Sequence, residues 1–521
     1  MSDLVNASDP GTDVNGEVWG KGAAEKTYEV NGFDPAREDV KLSYTPRRAA
    51  KTVFNTYQGG NGLILSGYVA ADATYDSRYG QHPGDANVGY QEGGPGADIA
   101  RIPAGAFDEL VVGAVGIVGD EGEKKDVIDR AAADFGIASS QDGLPGQRGK
   151  ATFTDAWGDV LAYIGFGFNG WFSNDAAPHF TQDKAHGLLG AVAGLKKSNP
   201  ALKVGLNVGG WEMSQAFHHV AEEPGLRTAF ADSLARIFRA FPMFTTLHLD
   251  WQFPGAMGAS DNVYGPEDPE NYARLIREVK QKLDPIVPGG VEIAVAVAGT
   301  VEKIKAANVP LLVDAGAGRL NLLAFDFFGS PWSDKLGHHA PLRRDPQAPD
   351  APSVDDAVSY LIQDLKIAPG AIHLAYATSS RNAQRAEIAS TSPLKGGYDP
   401  YPGATTVGTF KSGESEPADL LRNYLDLENG GARNGFALYT DTVADADFLH
   451  NPDSGVFVSL DTPRTVRAKA EYARAHKLGG LYAHRADADT GLLANAAREG
   501  LGHTVTGTVV DMKPLYVTGK N

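Results

Sequence analysis

The run Leu247-His-Leu-Asp-Trp-Gln-Phe-Pro-Gly255 sets a histidine, a carboxylate and a carboxamide into an otherwise apolar stretch. Asp250 is its one acid. The Gln252 amide has no acidic proton in the working pH range, so it cannot donate and retrieve one as a general acid must. Two histidine pairs, His218–His219 and His338–His339, invite a metal reading. Neighbouring side chains on a helix or strand diverge, however, so no shared ion is expected at either pair. The acidic run Asp441–Asp447 lacks the glycine and terminal glutamate of a calcium loop and reads as surface acidity. Gly59-Gly-Asn-Gly62 precedes a strand instead of joining a strand to a helix, so it is no phosphate cradle. There is no Gly-x-Ser-x-Gly elbow. Cysteine is absent, which removes thiol nucleophiles, Cys-ligated zinc, iron–sulfur clusters and disulfides. No cofactor and no resident metal are expected.

These residues must be held by something. Short apolar runs at 63–69, 110–115, 203–209, 246–250, 291–297, 320–325, 371–377 and 480–483 read as strands buried on both faces. Between them, 184–197, 225–241 and 271–283 carry apolar residues at helical spacing, with Glu278 one turn before Lys282. Alternating strands and helices imply a parallel sheet. Eight units fit a (β/α)8 barrel, and spacing alone leaves a doubly wound sheet equally open. In a barrel, the 247–255 run closes the fourth strand, where catalytic groups of such enzymes sit. Residues 116–200, with an extra apolar run at 160–168, and residues 382–460, with β-like pieces at 405–410, 435–439 and 455–460, are too long for simple connections and read as loop-side insertions.

The chain has 521 residues, 42% hydrophobic and 21% charged, which excludes a mostly disordered chain or a coiled coil. Its net charge of −18 argues against nucleic acid or an anionic membrane as partner. Arg47, Arg48 and Lys51 are the nearest thing to a basic patch and read as a solvated turn. No run of about 18 apolar residues is present, so no membrane insertion is expected. The N-terminus lacks the basic and apolar segments of a classical signal peptide. The localisation expected is cytoplasmic at synthesis, with any export as part of an extracellular assembly.

In order along the chain, four segments resemble glycoside hydrolase family 18, the chitinases. The 247–255 run resembles the family's Asp-Gly-x-Asp-x-Asp-Trp-Glu-Tyr/Phe-Pro-Gly. Leu206-Asn-Val-Gly-Gly-Trp211 resembles Ser-x-Gly-Gly-Trp of strand three. Leu323-Ala-Phe-Asp-Phe-Phe-Gly329, followed by Leu336-Gly-His-His, resembles the strand-six segment. Leu478-Gly-Gly-Leu-Tyr-Ala-His484 with Asp487-Ala-Asp-Thr-Gly491 resembles the strand-eight segment and its loop. The resemblance covers roughly residues 60–500 and implies an α/β fold, a (β/α)8 TIM barrel with a small α+β insertion between strands 7 and 8. The organisation expected is a polar N-terminal arm (1–60), a first barrel part (61–381), the insertion (382–460), a second barrel part (461–503) and a C-terminal tail (504–521).

The departures from the family pattern bear on function. The family mechanism is substrate-assisted: the 2-acetamido oxygen of the sugar attacks C1 and the protein supplies the general acid. That glutamate falls at Gln252. The family's first two aspartates fall at Thr245 and His248, and the third is kept as Asp250, which without the glutamate reads first as a barrel-interior carboxylate bonded to neighbours such as His248. The strand-eight tryptophan under the reacting sugar is His484, a much smaller stacking face. The strand-six tyrosine is Phe325, which keeps the ring without the hydroxyl. Asp326 matches the sugar-contacting aspartate. Arg381 keeps its place in the strand-seven motif, while the tyrosine there becomes Ser379. Trp211 is kept, as a stacking platform or as core packing. A general acid is worth about 10²–10⁴-fold, so no catalytic residue is expected at the degenerate positions Thr245, His248, Asp250 and Gln252. Trp211, Phe325, Asp326, Arg381 and His484 are the carbohydrate-binding candidates. The resemblance suggests a setting, since chitinase-like subunits decorate some insecticidal toxin complexes. The leading expectation is a structural or targeting subunit of such a bacterial assembly, joined to other protein subunits through the N-terminal arm. The alternatives are a chitin- or N-acetylglucosamine-binding lectin and an active chitinase with an unlocated acid.

Overall fold

The computed structural model describes residues 50–74, 97, 99–137, 147–162, 173, 175–400, 406–409 and 411–521, together with 4, 33–36, 43, 45 and 47. Eight parallel strands close a barrel: β1 (Ile64–Ala70), β2 (Glu109–Ile117), β3 (Lys203–Gly209), β4 (Phe244–Asp250), β5 (Glu292–Ala298), β6 (Ala317–Leu323), β7 (Ile372–Ala377) and β8 (Gly480–His484). Each pairs with the next, and β8 pairs with β1. The open doubly wound alternative is thereby excluded. The strands are mostly apolar because helices cover the outside and side chains fill the inside; β5, Glu-Ile-Ala-Val-Ala-Val-Ala, is buried from Ile293 onward.

The helices carry their own start and stop signals. Asp268–Leu283 begins with Asp268, Pro269 and Glu270 and ends with Lys280 and Lys282, matching proline geometry and the helix dipole at each end. Its Tyr272, Leu275, Ile276, Val279 and Leu283 form one buried stripe. Pro463–Ala475 is held at its start by a reciprocal Thr462–Thr465 capping box.

The sequence expectations shift in places. The strand expected at 320–325 runs from Ala317 to Leu323, because Gly316 turns the chain in at φ 116° and Asp326 turns it out at φ 57°. The strand expected at 110–115 extends to Ile117 because Ala151–Phe153 pairs with it antiparallel. Part of the 160–168 run lies outside the described residues, and its described start ends the helical turn Trp157–Leu161.

Between β7 and β8 the chain builds an antiparallel sheet in the order Arg381–Ala383, Val456–Leu460, Ala446–Asn451, Ala437–Asp441. The expected piece at 405–410 does not join it; the described residues there close a tight turn through Thr409 N to Glu414 O and Gly413 N to Val407 O. Asp441–Asp447, expected as surface acidity, is instead the hairpin of this sheet with its end carboxylates buried. Asp441 accepts from His338 and from the backbone of Leu394, Val443 and Ala444. Asp447 holds Arg464 and Thr462. Both carboxylates are buried because donors satisfy them.

Most of residues 1–42 lie outside the described residues. Those described up to residue 60 lie on this chain. Ser43 and Thr45 bond the buried Asp419, and the Arg47 side chain, expected in a solvated turn, is buried on the Asp489 carbonyl. Thr56–Gln58 pairs with Thr504–Gly507 of the tail. No helix among the described residues is long and apolar enough to cross a membrane.

Candidate functional site

At the exit of β3, Gly209 and Gly210 both take positive φ, 94° and 120°. A Cβ at Gly209 would come 2.6 Å from the Asp250 carbonyl oxygen. Only glycine lets the β3 exit pass this close, so that Gly210 N donates to Asp250 O at 2.8 Å. Ser214 continues the tie: its hydroxyl donates to Gly210 O and accepts from Gln252 N at 2.9 Å. Trp251 is buried and stacked on Phe217, 5.6 Å between ring centres. The chain on either side of residue 252 is therefore firmly placed.

The structure brings Asp250 and Gln252 together. Gln252 Nε2 donates to Asp250 Oδ1 at 2.8 Å. Burial pushes the Asp250 carboxyl up, and hydrogen bonds from Gln252 and Asn207 oppose it. The amide thus gives one N–H donor to the one carboxylate the motif retains.

His248 lies two residues deeper and buried. Asn321 Nδ2 donates to its Nδ1 at 2.8 Å, which leaves the proton on Nε2 facing Glu109 Oε1 at 3.5 Å. Glu109 also accepts from Ser66 and from the buried Arg319, whose other edge reaches Glu292. Burial alone would raise the Glu109 carboxyl, yet Arg319 and His248 outweigh it and hold it well below the usual range. Imidazole and carboxylate at 248 and 109 occupy the barrel interior as a closed ionic group. His248 sits beside Asp250 without contacting it, so the expected His248–Asp250 bond is replaced by Asn321 and Glu109. Thr245 lies at the entry end of β4, about 16 Å of strand from Asp250, and its side chain makes no polar contact among the described residues.

The binding candidates divide into three places. Trp211 stands at the rim and is 51% exposed, so the core-packing reading is set aside. Trp332, 58% exposed, flanks Arg381, whose guanidinium lies 5.6 Å from its ring. The Phe325 and His484 rings lie tilted with centres 5.2 Å apart, and Tyr68 stacks on His484 at 6.1 Å. Burial, reinforced by Arg485, pushes His484 down to about 4, so the ring is neutral at ordinary pH. Asp326 and Arg381 are paired with each other, Nε to Oδ1 at 2.7 Å and Nη2 to Oδ2 at 2.6 Å. Arg381 Nη1 adds Glu414 at 2.7 Å. Burial would raise the Asp326 carboxyl, but Arg381 and His339 carry it well below the normal carboxylate range.

Sequence reasoning missed Glu414 and Glu416. Both come from the inserted segment, Lys411-Ser-Gly-Glu-Ser-Glu416, whose residues carry no periodic signal. Burial pushes Glu416 up to about 8 against Arg485, with Glu414 and Asp487 adding, and its Oε2 has no hydrogen-bond partner. The two histidine pairs also differ from each other. His338 and His339 diverge as expected, toward Asp441 and Asp326. His218 and His219 instead meet edge to face, ring centres 5.1 Å apart.

Comparison with known proteins agrees with this geometry. The profile of glycosyl hydrolases family 18 matches residues 124–489. Chitinase 1 of Yersinia entomophaga is 38% identical over 99% of this chain and 95% of its own length. Chitinase 2 of the same organism is 36% identical over 95% of this chain and 81% of its own length. The crystal structure of the chitinase Chi1, fitted into the three-dimensional structure of the Yersinia entomophaga toxin complex, superposes with a TM-score of 0.91 at 37% identity, covering 99% of this chain and 100% of that one. Chitinase ChiA74 of Bacillus thuringiensis shares the fold alone, with a TM-score of 0.67 at 20% identity over 86% of this chain and 71% of that one. A closed eight-stranded barrel, the four motif segments at its mouth and full-length similarity to two chitinases together make this chain a member of glycosyl hydrolases family 18.

Proposed function

We propose that this chain is a non-hydrolytic chitinase-type barrel that serves as a structural or targeting subunit of an extracellular toxin assembly. The observation that carries it is the amide at 252, locked on Asp250 at 2.8 Å where the chemistry needs a proton donor. Loss of a general acid costs about 10²–10⁴-fold, and the same group would serve both half-reactions. The neighbours deepen the loss: His248 is committed to Asn321 and Glu109, and His484 offers only an imidazole, in ring contact with Tyr68 and Phe325. The assembly role rests on similarity over nearly the whole length to Chi1, whose structure has been fitted into a toxin complex. In this reading the N-terminal arm, residues 1–60, supplies subunit contacts in addition to the bonds that Leu4, Ser43, Thr45 and Arg47 already make on this chain. Synthesis is cytoplasmic, and export follows the assembly.

The decisive experiment incubates the full chain with fluorogenic chito-oligosaccharides. No release above buffer is expected, and turnover by the wild type overturns the proposal. Deletion of residues 1–60 is expected to abolish co-purification with partner subunits, and retention removes the docking role of that arm. The exposed faces of Trp211 and Trp332 support a second reading, a lectin that holds chitin or N-acetylglucosamine without cutting it. Retention on chitin beads that Trp211→Ala abolishes would favour the lectin over the scaffold.

A further inference from the structure

The short helix Phe217–Glu222 follows the rim loop that carries Trp211. His218, His219 and Glu222 each place one ligand atom within 4.8 Å of the others. His218 and Glu222 are four residues apart and His219 and Glu222 three apart, so Glu222 neighbours both imidazoles on the helix surface. The His218 ring is oriented from behind: its Nδ1 meets Asp268 Oδ1 at 2.7 Å. Asp268 is fully buried and locked in turn, its Oδ2 accepting from Gly255 N at 3.0 Å and Gly265 N at 2.9 Å. Such a carboxylate fixes the tautomer of a metal-binding histidine, raises its basicity and leaves Nε2 as the free lone pair. Arg227, the neighbouring cation, is engaged by the Ala221 and Glu222 carbonyls and by Glu278, which leaves the Glu222 carboxylate available.

We propose that His218, His219 and Glu222 bind one divalent transition metal, with zinc the best match, and that Asp268 is the positioning residue behind His218. Two imidazoles and one carboxylate form the nitrogen–oxygen set that zinc accepts with a fourth position left to water. Zinc bonds of about 2.0–2.1 Å place tetrahedral ligands about 3.3 Å apart, so the ligand atoms converge by about 1.5 Å at most. Glu222 is exposed and free to make that movement. The ion would clamp the helix whose Phe217 stacks on Trp251, and so brace the turn that presents Gln252. Nothing in the assembly reading requires this ion.

The test titrates zinc chloride into the full chain, previously stripped with EDTA, by calorimetry at pH 7.5. One zinc per chain is expected, with a rise in Tm on zinc addition. His219→Ala and Glu222→Gln should each weaken binding tenfold or more and abolish the Tm rise, while their metal-free Tm stays at the wild-type value, since both side chains are at or near the surface. Asp268→Asn should weaken binding about 10–100-fold. Absence of heat and of a Tm rise in the wild type overturns the proposal. Equal binding by wild type and Glu222→Gln also overturns it, because the zinc then lies elsewhere among the 13 histidines.

Discussion

Two charged clusters, the deeper one mostly buried and the upper one half-buried, lie in this barrel, and they are built differently. The deeper one joins Glu109, Arg319, Glu292 and His248. Every acid there faces a cation or a protonated imidazole nitrogen, and Ser66 and Asn321 donate to Glu109 and His248, although Asn321 Oδ1 itself has no partner. The upper one, at the mouth, pairs Asp326 and Glu414 through Arg381 but leaves Asp250 bonded only to amides and Glu416 with an unpartnered oxygen. The deep group is closed and serves the fold. The mouth keeps surplus acid, Asp250 and Glu416, beside the Gln252 amide.

If the deep group is closed, breaking it is expensive. Arg319→Met leaves Glu109 buried without its cation, which typically costs about 3–5 kcal/mol. Denaturant unfolding should show that loss as a lower midpoint. The double variant Arg319→Met with Glu109→Gln should recover much of it, since removing both charges is close to neutral. A single variant as stable as the wild type would erase the distinction between the two clusters.

At the mouth the expected sign reverses, because Glu416 is destabilising when charged. Its proton is held to about 8 in the folded chain, against an ordinary value of 4.5. Below pH 4.5 both folded and unfolded forms are protonated and nothing is lost. Between 4.5 and 8 the unfolded chain releases the proton first, so the contribution of Glu416 grows unfavourable as pH rises through that window. Glu416→Gln does not titrate. Its stability relative to wild type should therefore increase from pH 4.5 to pH 8, by roughly 2–4 kcal/mol. A pH-independent difference would mean that Glu416 has a partner in solution.

How much of this was legible in the sequence follows from range. The barrel was readable because eight apolar runs alternate with amphipathic stretches, and the motif segments then chose it over an open sheet. Gln252 beside Asp250 was readable because both sit in one strand exit. The deep ionic group was not, because Glu109, Arg319 and His248 come from three strands up to 210 residues apart and look like ordinary strand residues singly. Asp441–Asp447 was misread because acid runs are usually solvated; Arg464 and His338, which bury it, lie elsewhere in the chain. Ala446–Asn451 was missed for the same reason, its acidic start masking a fully buried strand.

Gln252→Glu tests the mouth from the other direction. The substitution exchanges a donor for an acceptor 2.8 Å from Asp250. Two carboxylates at that distance must share a proton, so the pair titrates above the ordinary carboxylate range. The variant should be less stable than wild type by roughly 1–3 kcal/mol at pH 8, and the gap should shrink toward pH 5, where the shared proton is present. Differential scanning at the two pH values reads the difference. Equal stability at both would show that Asp250 is already protonated at pH 8 in the wild type.

The smallest effect is expected where the cleft meets solvent. Trp211 is half exposed, and its neighbour Glu212 is held independently by Lys124 at 3.0 Å. Truncation to alanine should therefore move stability by no more than about 0.5 kcal/mol, as surface changes generally do. That near-silence gives the variant its use: any loss of retention on chitin then reports a lost stacking face and not a damaged fold. A stability loss above about 2 kcal/mol would instead match the cost of deleting a packed side chain. The rim tryptophan would then belong with the deep cluster as part of what holds the barrel, and the contrast between a structural interior and an open mouth would have to be redrawn below it.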